Sequence, residues 1–461
     1  MSRSYCIVGG GISGLTAAYR LRVAAGRAGQ DASITLFEPG DRLGGILRTE
    51  QVGGHPMDLG AEAFILRRPE MPALLAELGL SGRRRVSAGN RPLIYSELGL
   101  HPLPTGTVAG IPSSAASVAG LVDEATVARI DAEPVRPLDW RPGSDPSVAE
   151  LVGDRFGEQV VARSVEPLLM GVYAGSAATI GLRAAAPTVA AALDRGAASL
   201  TDAVRRALPP ATGAPVFGAL DGGYQVLVDE LVERSRLRWV HAAVARLDRG
   251  PSGWTLSDDT GARWDADAVI LAVPAARAAR LVGEIAPRTA AAASRITTAS
   301  SAVVALAVPG DTPFPECSGV LVASGEPLRA KAITLSSRKW GRAAGSDGDT
   351  QLLRMSFGRF GDDVATATPD GDLLAWAVGD LATVFGLTVD PVDARVQRWI
   401  DAMPQYGPGH ADVVAEVRAG LPPTLAVAGS YLDGIGVPAC VGAAARATTG
   451  VVEALERRVA R

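Results

Sequence analysis

Apolar residues cluster in short runs that glycine-rich turns separate, and this pattern predicts strands and helices in succession. The run "SYCIV" at residues 4–8 predicts a strand, and "LTAAYRLRVAAG" at 15–26 has the leucine and alanine spacing of a helix. The run "ASITLF" at 32–37 then predicts a second strand. Strand, helix and strand in this order indicate the beginning of a parallel α/β sheet.

The glycines between the first strand and the first helix have a spacing that carries chemistry. Gly9, Gly11 and Gly14 form G-x-G-x-x-G, and the next strand ends at Glu38. In this context the pattern indicates a dinucleotide site, with the diphosphate at the helix N-terminus and the carboxylate on a ribose diol. The alternative is a parallel sheet with a glycine-rich first turn. Candidate cofactor contacts are Gly9, Gly10, Gly11, Ile12, Ser13, Gly14, Glu38 and Pro39.

Later segments read as further pieces of the same nucleotide domain. Residues 238–274 alternate short strands with Gly, Asp and Ser turns, and 424–459 read as a strand, a glycine-rich loop and a long helix starting near Pro438. Between these pieces lie a helical insertion and a mixed insertion that should build the substrate pocket. We predict a nucleotide domain at 1–85, 222–290 and 395–461, a substrate-binding domain at 86–109 and 291–394, and a mainly helical insertion at 110–221.

Two motifs after Glu38 indicate which dinucleotide cofactor the domain binds. Arg42, Gly44 and Gly45 make an R-x-G-G element, and "MDLGAEAF" follows at 57–64. Both resemble the flavin-containing amine oxidase superfamily. The resemblance implies an α/β fold with α+β insertions, a discontinuous Rossmann-like domain of the amine oxidase type, and FAD as cofactor. The FAD contacts that it implies are Arg42, Gly44, Gly45, Ile46, Gly60, Ala61, Glu62, Ala63, Val244, Gly436 and Val437.

A narrower resemblance covers nearly the whole chain. "EPLLMGVYAGSAATIGLRAAAP" at 166–187, "LDGGYQVLVDELV" at 220–232 and "SYLDGIGVPACVGAA" at 430–444 resemble segments of the bacterial coproporphyrinogen III and protoporphyrinogen oxidases of haem synthesis. This resemblance implies an FAD-dependent oxidation of coproporphyrinogen III to coproporphyrin III, with oxygen as acceptor and hydrogen peroxide as by-product. Protoporphyrinogen IX remains an alternative substrate. The other open alternatives are a flavin amine oxidase, a carotenoid desaturase and an FAD-free binding protein on the same scaffold.

A porphyrinogen oxidase must anchor the propionate carboxylates of its substrate. Arginine suits this role because its planar guanidinium binds both carboxylate oxygens. Arg67 and Arg68 follow the flavin-facing segment and are candidates for anchoring or electrostatic roles; a solvated arginine pair is the alternative. Tyr173 is a further pocket candidate within the family segment, although it could simply pack. By resemblance, Trp399 and Tyr406 lie near the flavin. The redox chemistry belongs to the cofactor, so we expect no catalytic triad.

Composition narrows the classes of partner. A net charge of −4 makes nucleic acid an unexpected partner, and Cys6, Cys317 and Cys440 have no metal or disulfide spacing, so we expect no metal and a reducing compartment. Lysine occurs only twice, which reads as GC-rich codon usage. The first glycines interrupt the segment that a signal peptide would need, so we expect a cytoplasmic protein without a transmembrane segment. Expected partners are the porphyrinogen, oxygen and, transiently, neighbouring haem-pathway enzymes; monomer and dimer both remain open.

Overall fold

The fold is described from a computed structural model, which covers residues 3–210, 213–251, 253–341 and 348–459. A five-stranded parallel sheet forms the centre of the predicted nucleotide domain, in the order Arg238–Val240, Ala32–Phe37, Arg3–Val8, Ala268–Leu271 and Leu425–Val427. The strand Arg3–Val8 is central because its last four residues are buried on both faces, as a parallel sheet requires. The edge strand Leu425–Val427 comes from near the C-terminus, whereas the central strands come from the first forty residues and from near residue 270. The domain is therefore discontinuous in sequence.

Helices cover both faces of this sheet. The first helix (Ile12–Arg27) packs against the last helix (Val437–Val459) and against Gln225–Ser235. Its apolar residues join one buried cluster with the last helix, in which small alanines allow close approach. The other helices of this region are Glu70–Glu77, Ala275–Val282, Pro287–Ser294 and His410–Ala419, with the 3₁₀ turn Ser81–Arg83.

Small antiparallel sheets surround the central one. They are Thr49–Val52 with His55–Asp58; Phe64–Ile65, Phe217–Leu220 and Arg84–Val86; Thr107–Val108 with Ile111–Pro112; and Val244–Arg249, Trp254–Asp258 and Arg263–Ala266. Strand Phe217–Leu220 pairs with Phe64–Ile65 of the nucleotide region. The predicted end of the helical insertion at residue 221 therefore needs to move towards the N-terminus, since this strand belongs to the neighbouring region.

A second large sheet has seven strands, in the order Asp393–Pro404, Thr298–Pro309, Thr350–Phe357, Ala332–Thr334, Gly319–Val322, Leu93–Ser96 and Gly99–Pro102. The strand Thr350–Phe357 alternates half-buried and buried residues, and its buried positions pack with the helix Asp370–Phe385. The remaining helices here are Ser336–Trp340 and Val364–Ala367. The boundary predicted between 394 and 395 falls inside the strand Asp393–Pro404, so this sheet extends to residue 404.

The helical insertion has a core of its own. Its helices are Glu124–Ala132, Val148–Phe156, Glu158–Val160, Glu166–Tyr173, Leu182–Ala185, Pro187–Asp194 and Leu200–Ala207, with a π-helical stretch at Val161–Val165 and 3₁₀ turns at Ala115–Ser117 and Glu133–Val135. At its centre the buried Glu133 accepts hydrogen bonds from Arg155 and from the first turn of the last of these helices. No helix among the described residues is long and apolar enough to cross a membrane.

Candidate functional site

The turn between the first strand and the first helix requires glycine at its two ends. Gly9 has φ +109°, and a Cβ there would lie 2.4 Å from the Ala272 carbonyl oxygen. A Cβ on Gly14 would lie 1.9 Å from the Gly9 oxygen. At Gly11, by contrast, an added Cβ would meet nothing closer than Gly45 Cα at 3.8 Å. The missing side chain of Gly11 therefore leaves space beside the loop.

The helix that follows this turn begins without a protein cap. Gly11 is the N-cap residue, and among the described residues no side chain caps the first turn, in which Ile12 and Ser13 are buried. A helix N-terminus carries partial positive charge and unpaired N–H groups, which are the features that bind phosphate. The space at Gly11 and the uncapped helix start together fit the diphosphate of a dinucleotide.

Glu38 ends the second strand beside this loop. Its carboxylate accepts hydrogen bonds from the backbone N–H of Gly10 at 2.9 Å and of Gly40 at 3.0 Å, one on each oxygen. Because an ionised carboxylate offers about four acceptor positions, it keeps capacity for a ribose diol. Pro39 follows directly, and the Glu38 carbonyl accepts from the Trp239 indole at 3.0 Å.

The R-x-G-G element packs on the glycine loop. The Gly44 N–H donates to the Gly10 carbonyl at 2.8 Å, and Gly44 and Gly45 both have positive φ, at +111° and +60°. The Arg42 guanidinium donates to the carbonyl of Leu47 at 2.9 Å and to that of Gly45. Burial lowers the pKa of Arg42. Arg42 thus stabilises its own loop, and the Gly44 N–H connects that loop to the glycine turn.

The segment predicted to run under the flavin ring is fixed by the second sheet. Arg354 donates to the carbonyls of Asp58 and Gly60, both at 2.9 Å, and the Trp399 indole donates to the carbonyl between them at 2.8 Å. A Cβ on Gly60 would lie 1.7 Å from the Ile46 oxygen. The segment therefore lies directly against the R-x-G-G loop. Its flanking residues Ala61 and Ala63 are half-buried.

Glu62 in this segment forms a partly buried ion pair. Its carboxylate accepts from the Lys339 ammonium at 2.7 Å and from the Ser336 hydroxyl at 2.9 Å. Burial alone would raise the pKa of Glu62, but the charges of Lys339 and Arg354 and the lysine hydrogen bond lower it to about 2. Glu62 is therefore a carboxylate that orders the segment.

Asp58, at the start of the same segment, has the opposite electrostatic environment. Burial raises the pKa of Asp58 to about 7, and hydrogen bonds from the Thr49 hydroxyl at 2.5 Å and the Tyr224 N–H at 3.0 Å oppose that shift only in part. The two carboxyl groups therefore titrate in different pH ranges.

The last helix begins beside the first one. It starts at Val437, which is buried in the same cluster as Ile12, whereas Gly436 before it is exposed. Tyr406 holds the preceding loop, because its hydroxyl accepts from the Gly434 N–H at 3.0 Å and donates to a nearby carbonyl. The positive ends of two helices thus lie on the same side of the nucleotide domain.

Arg67, Arg68 and Val244 have other surroundings. Arg67 and Arg68 are exposed, and the Arg68 guanidinium pairs with Glu70 at 2.7 Å. The Glu70 hydrogen bonds raise the pKa of Arg68. Val244 begins a strand of a small sheet and is fully buried in a hydrophobic cluster.

Tyr173 is connected to the site through a second aromatic residue. Its ring centroid lies 5.8 Å from that of Tyr406, and its hydroxyl donates to the Ala184 carbonyl at 3.2 Å. Burial raises the pKa of Tyr173, so the phenol stays protonated at neutral pH. Tyr406 in turn stacks on His410 at 3.9 Å. These aromatic residues link the helical insertion to the loop before the last helix.

Sequence reasoning missed Lys339, Ser336 and Arg354, all from the second sheet or its connections. The available signal was the scarcity of lysine: one of only two lysines in the chain pairs with Glu62. Because codon usage explains that scarcity, the sequence predicts no role for either lysine.

The chain matches the family model described as flavin containing amine oxidoreductase over residues 12–452. The chain belongs to this family. It is therefore an oxidoreductase that uses a flavin, and both the family and the α/β fold class predicted from the sequence are confirmed.

Known members resemble the chain along its whole length. It is 74% identical over 459 residues to the coproporphyrinogen III oxidase of Mycobacterium tuberculosis (strain H37Rv), covering 100% of this chain and 99% of that protein. The coproporphyrinogen III oxidase of Bacillus subtilis (strain 168) is 30% identical over 457 residues, covering 94% and 95%. A crystal structure of a putative protoporphyrinogen oxidase from Exiguobacterium sp. 255-15 has a TM-score of 0.85 and 29% identity, covering 97% and 98%.

Proposed function

We propose that this protein is an FAD-dependent oxidase that converts coproporphyrinogen III to coproporphyrin III in haem biosynthesis. Oxygen is the electron acceptor and hydrogen peroxide the by-product. The observation that carries the proposal is the 74% identity over the whole chain to proteins named coproporphyrinogen III oxidase.

The residues around the glycine loop fit FAD. The space at Gly11 and the uncapped helix start suit the diphosphate, and Glu38 retains acceptor capacity for the ribose of the adenosine half. Gly60 brings the backbone of its segment close to the R-x-G-G loop, where the flavin half would extend. The partial positive charge at the start of the helix Val437–Val459 suits the electron-rich pyrimidine end of a flavin.

A bound flavin supplies the two-electron acceptor that the oxidation of a porphyrinogen needs. Removal of six hydrogens in three two-electron steps consumes three molecules of oxygen and yields three of hydrogen peroxide. The protein orders the backbone segment that would lie against the flavin. Arg354 and Trp399 hydrogen-bond to the carbonyls of residues 58–60, and Lys339 pairs with Glu62. Such positioning is the main contribution of a protein to chemistry that a cofactor carries.

The test is aerobic incubation of the purified yellow protein with coproporphyrinogen III and, separately, protoporphyrinogen IX. Porphyrin fluorescence and hydrogen peroxide are followed together, with heat-denatured protein as the control for spontaneous oxidation. We expect faster turnover of coproporphyrinogen III, three peroxides per porphyrin, and FAD on chromatography of the released cofactor. FAD-loaded protein that oxidises neither substrate would overturn the assignment.

Oxidation of protoporphyrinogen IX is the second candidate. It is supported by the Exiguobacterium structure, whose protein is named a putative protoporphyrinogen oxidase and which aligns with 97% of this chain. A higher kcat/KM for protoporphyrinogen IX than for coproporphyrinogen III in the same assay would favour this candidate.

A further inference from the structure

A cavity lies where the helical insertion meets the end of the seven-stranded sheet, and its lining includes no residue of the glycine loop or of residues 57–64. Its volume is about 120 Å³. The side chains that define it are Met170 from the helix Glu166–Tyr173, Arg329 and Lys331 before the strand Ala332–Thr334, Arg359 and Asp362 after the strand Thr350–Phe357, and Trp376. Three of these six side chains are basic.

Lys331 is a buried basic side chain that the protein holds in a fixed position at this cavity. Its side chain is nine-tenths buried, and its ammonium donates to the Ser301 hydroxyl at 2.9 Å and to the Gly358 carbonyl. Burial lowers the pKa of Lys331 to about 7. In its protonated form the side chain has three N–H donors, and within the part of the chain that the structure describes one of them has no partner. A buried donor without a partner costs free energy, which a bound acceptor would recover.

The two arginines also have unused hydrogen-bonding capacity. The Arg359 guanidinium approaches the Met170 sulfur at 3.9 Å and an Asp362 oxygen at 3.9 Å, which is beyond hydrogen-bond distance from the carboxylate. The Arg329 guanidinium lies 5.1 Å from the ring centroid of Trp376. Among the described residues, neither guanidinium hydrogen-bonds to a carboxylate, although most arginines near a carboxylate in this chain do so.

The carboxylates at the cavity are occupied elsewhere. Asp362 accepts backbone N–H bonds from Arg359 at 3.0 Å and from Val364 at 3.3 Å. Glu326, also on the cavity wall, accepts the N–H of Glu97 at 2.7 Å. These bonds orient both carboxylates but leave their charges in place. The lining therefore has three basic side chains against two acidic ones.

We propose that this cavity binds the carboxylate of a short alkyl chain, with Lys331 and Arg359 on the carboxylate and Trp376 and Met170 against the alkyl part. The proposal deepens the function proposed above and rests on it for the source of the ligand, a propionate of the porphyrinogen. The supporting connection is a short one: Met170 is one helical turn before Tyr173, and the Tyr173 carbonyl accepts from Gln405. Gln405 directly follows the strand Asp393–Pro404, whose Trp399 donates to the Leu59 carbonyl of the flavin-facing segment. A free small carboxylate has the same chemistry and is separated from it by the test.

The cavity also bears on substrate choice. Coproporphyrinogen III has four propionates, whereas protoporphyrinogen IX has two propionates and two vinyl groups. A cationic cavity for an additional propionate favours the first substrate over the second, because a vinyl group cannot accept the hydrogen bonds that the site offers.

The experiment compares steady-state kinetics of the FAD-loaded protein with those of Arg359→Gln and Lys331→Met. Arg359→Gln should fold because the Arg359 side chain is more than half exposed. Lys331→Met replaces the buried lysine with an uncharged side chain of similar length. The matched control is Arg395→Gln, a surface arginine of the same sheet that is paired with Asp393. We expect KM for coproporphyrinogen III to rise about tenfold in both cavity variants, with kcat within about twofold of the parent, since a charge-assisted hydrogen bond is lost. KM for protoporphyrinogen IX should change less.

Calorimetric titration with propionate and with succinate separates the sources of the carboxylate. Variants that raise KM, with propionate acting as a weak competitive inhibitor, support the substrate as the source. Binding of propionate or succinate that both variants abolish, at unchanged KM, supports a free carboxylate. Unchanged KM together with unchanged or absent binding would overturn the proposal. Failure of the parent protein to oxidise any porphyrinogen would remove the proposed function while leaving the titration as a separate test of the cavity.

Discussion

The Glu62–Lys339 ion pair provides a quantitative test of how the flavin-facing segment is held. The two charged groups are 2.7 Å apart, and their side chains are only 13% and 21% exposed. Replacing Lys339→Met keeps a similar chain length and removes the charge. The Glu62 carboxylate would stay largely buried but would lose the cation that pairs with it. The Ser336 hydroxyl and the more distant charge of Arg354 would still stabilise it.

The size of the effect follows from the pKa of Glu62. A fall from the ordinary value of 4.5 to about 2 corresponds to about 3 kcal/mol of stabilisation at neutral pH, because each pKa unit is worth about 1.4 kcal/mol. Removing one partner of a buried pair typically costs about 3–5 kcal/mol. We therefore expect Lys339→Met to lower the free energy of unfolding by about 3 kcal/mol at pH 7.

The sign of the pH dependence can be tested with the same variant. The pKa of Glu62 is lower in the folded than in the unfolded chain, so its stabilisation is complete above about pH 4.5 and is lost as the pH falls towards 2. The parent protein should lose stability across this range. Lys339→Met should lose less, because the cation that lowered the pKa is gone.

The assay is urea unfolding followed by circular dichroism and by flavin fluorescence. The matched controls are Glu62→Gln and the double variant Glu62→Gln/Lys339→Met, which leaves no charge unpaired and should be more stable than Lys339→Met alone. A loss below about 1 kcal/mol in Lys339→Met, or a double variant whose loss equals the sum of the single losses, would show that the pair does not hold the segment.

Other residues of the site give further predictions. Gly60→Ala should lose bound flavin, because its Cβ would overlap the Ile46 oxygen at 1.7 Å; retention of the parent's flavin content would contradict this. Gly26→Ala, in the first helix with nothing within 4 Å of the new Cβ, should instead stabilise the protein by about 0.5–1 kcal/mol in urea unfolding, with flavin content unchanged. Asp58→Asn should remove a loss of stability that the parent shows as pH rises from about 4 to 7, because the native pKa of about 7 lies above the unfolded value of 3.8. The asparagine keeps an acceptor for the Thr49 hydroxyl, and equal slopes in the two proteins would refute the assignment.

The local part of this site was predictable from the sequence. The G-x-G-x-x-G spacing predicts Gly9 and Gly14, and the structure gives the reason: a Cβ at either position would overlap a backbone oxygen, and Gly9 also has a positive φ. Gly60 was predicted from the family resemblance, and a Cβ there would likewise overlap a backbone oxygen. The R-x-G-G element follows the second strand within a few residues, and proximity in sequence there means proximity in space.

The long-range part was not predictable in this way. Arg354 meets residues 58–60 across almost 300 positions, and nothing in its own neighbourhood announces a partner. Trp399 lies even further along the chain from Leu59, and only the family resemblance placed it near the flavin. Patterns along a chain report local conformation, whereas the pairing of charges is decided by the packing of whole sheets.

The outermost strand of the parallel sheet, Leu425–Val427, and the helix Val437–Val459 come from the last tenth of the chain. During synthesis, the glycine turn and the first helix emerge early but must wait for these final residues before they can be covered. Until then the apolar face of the first helix is exposed, and closing so long a loop is slow. Assembly of the parallel sheet therefore requires residues 425–427 and 437–459, and truncation before Leu425 should leave the first helix uncovered and open to proteolysis.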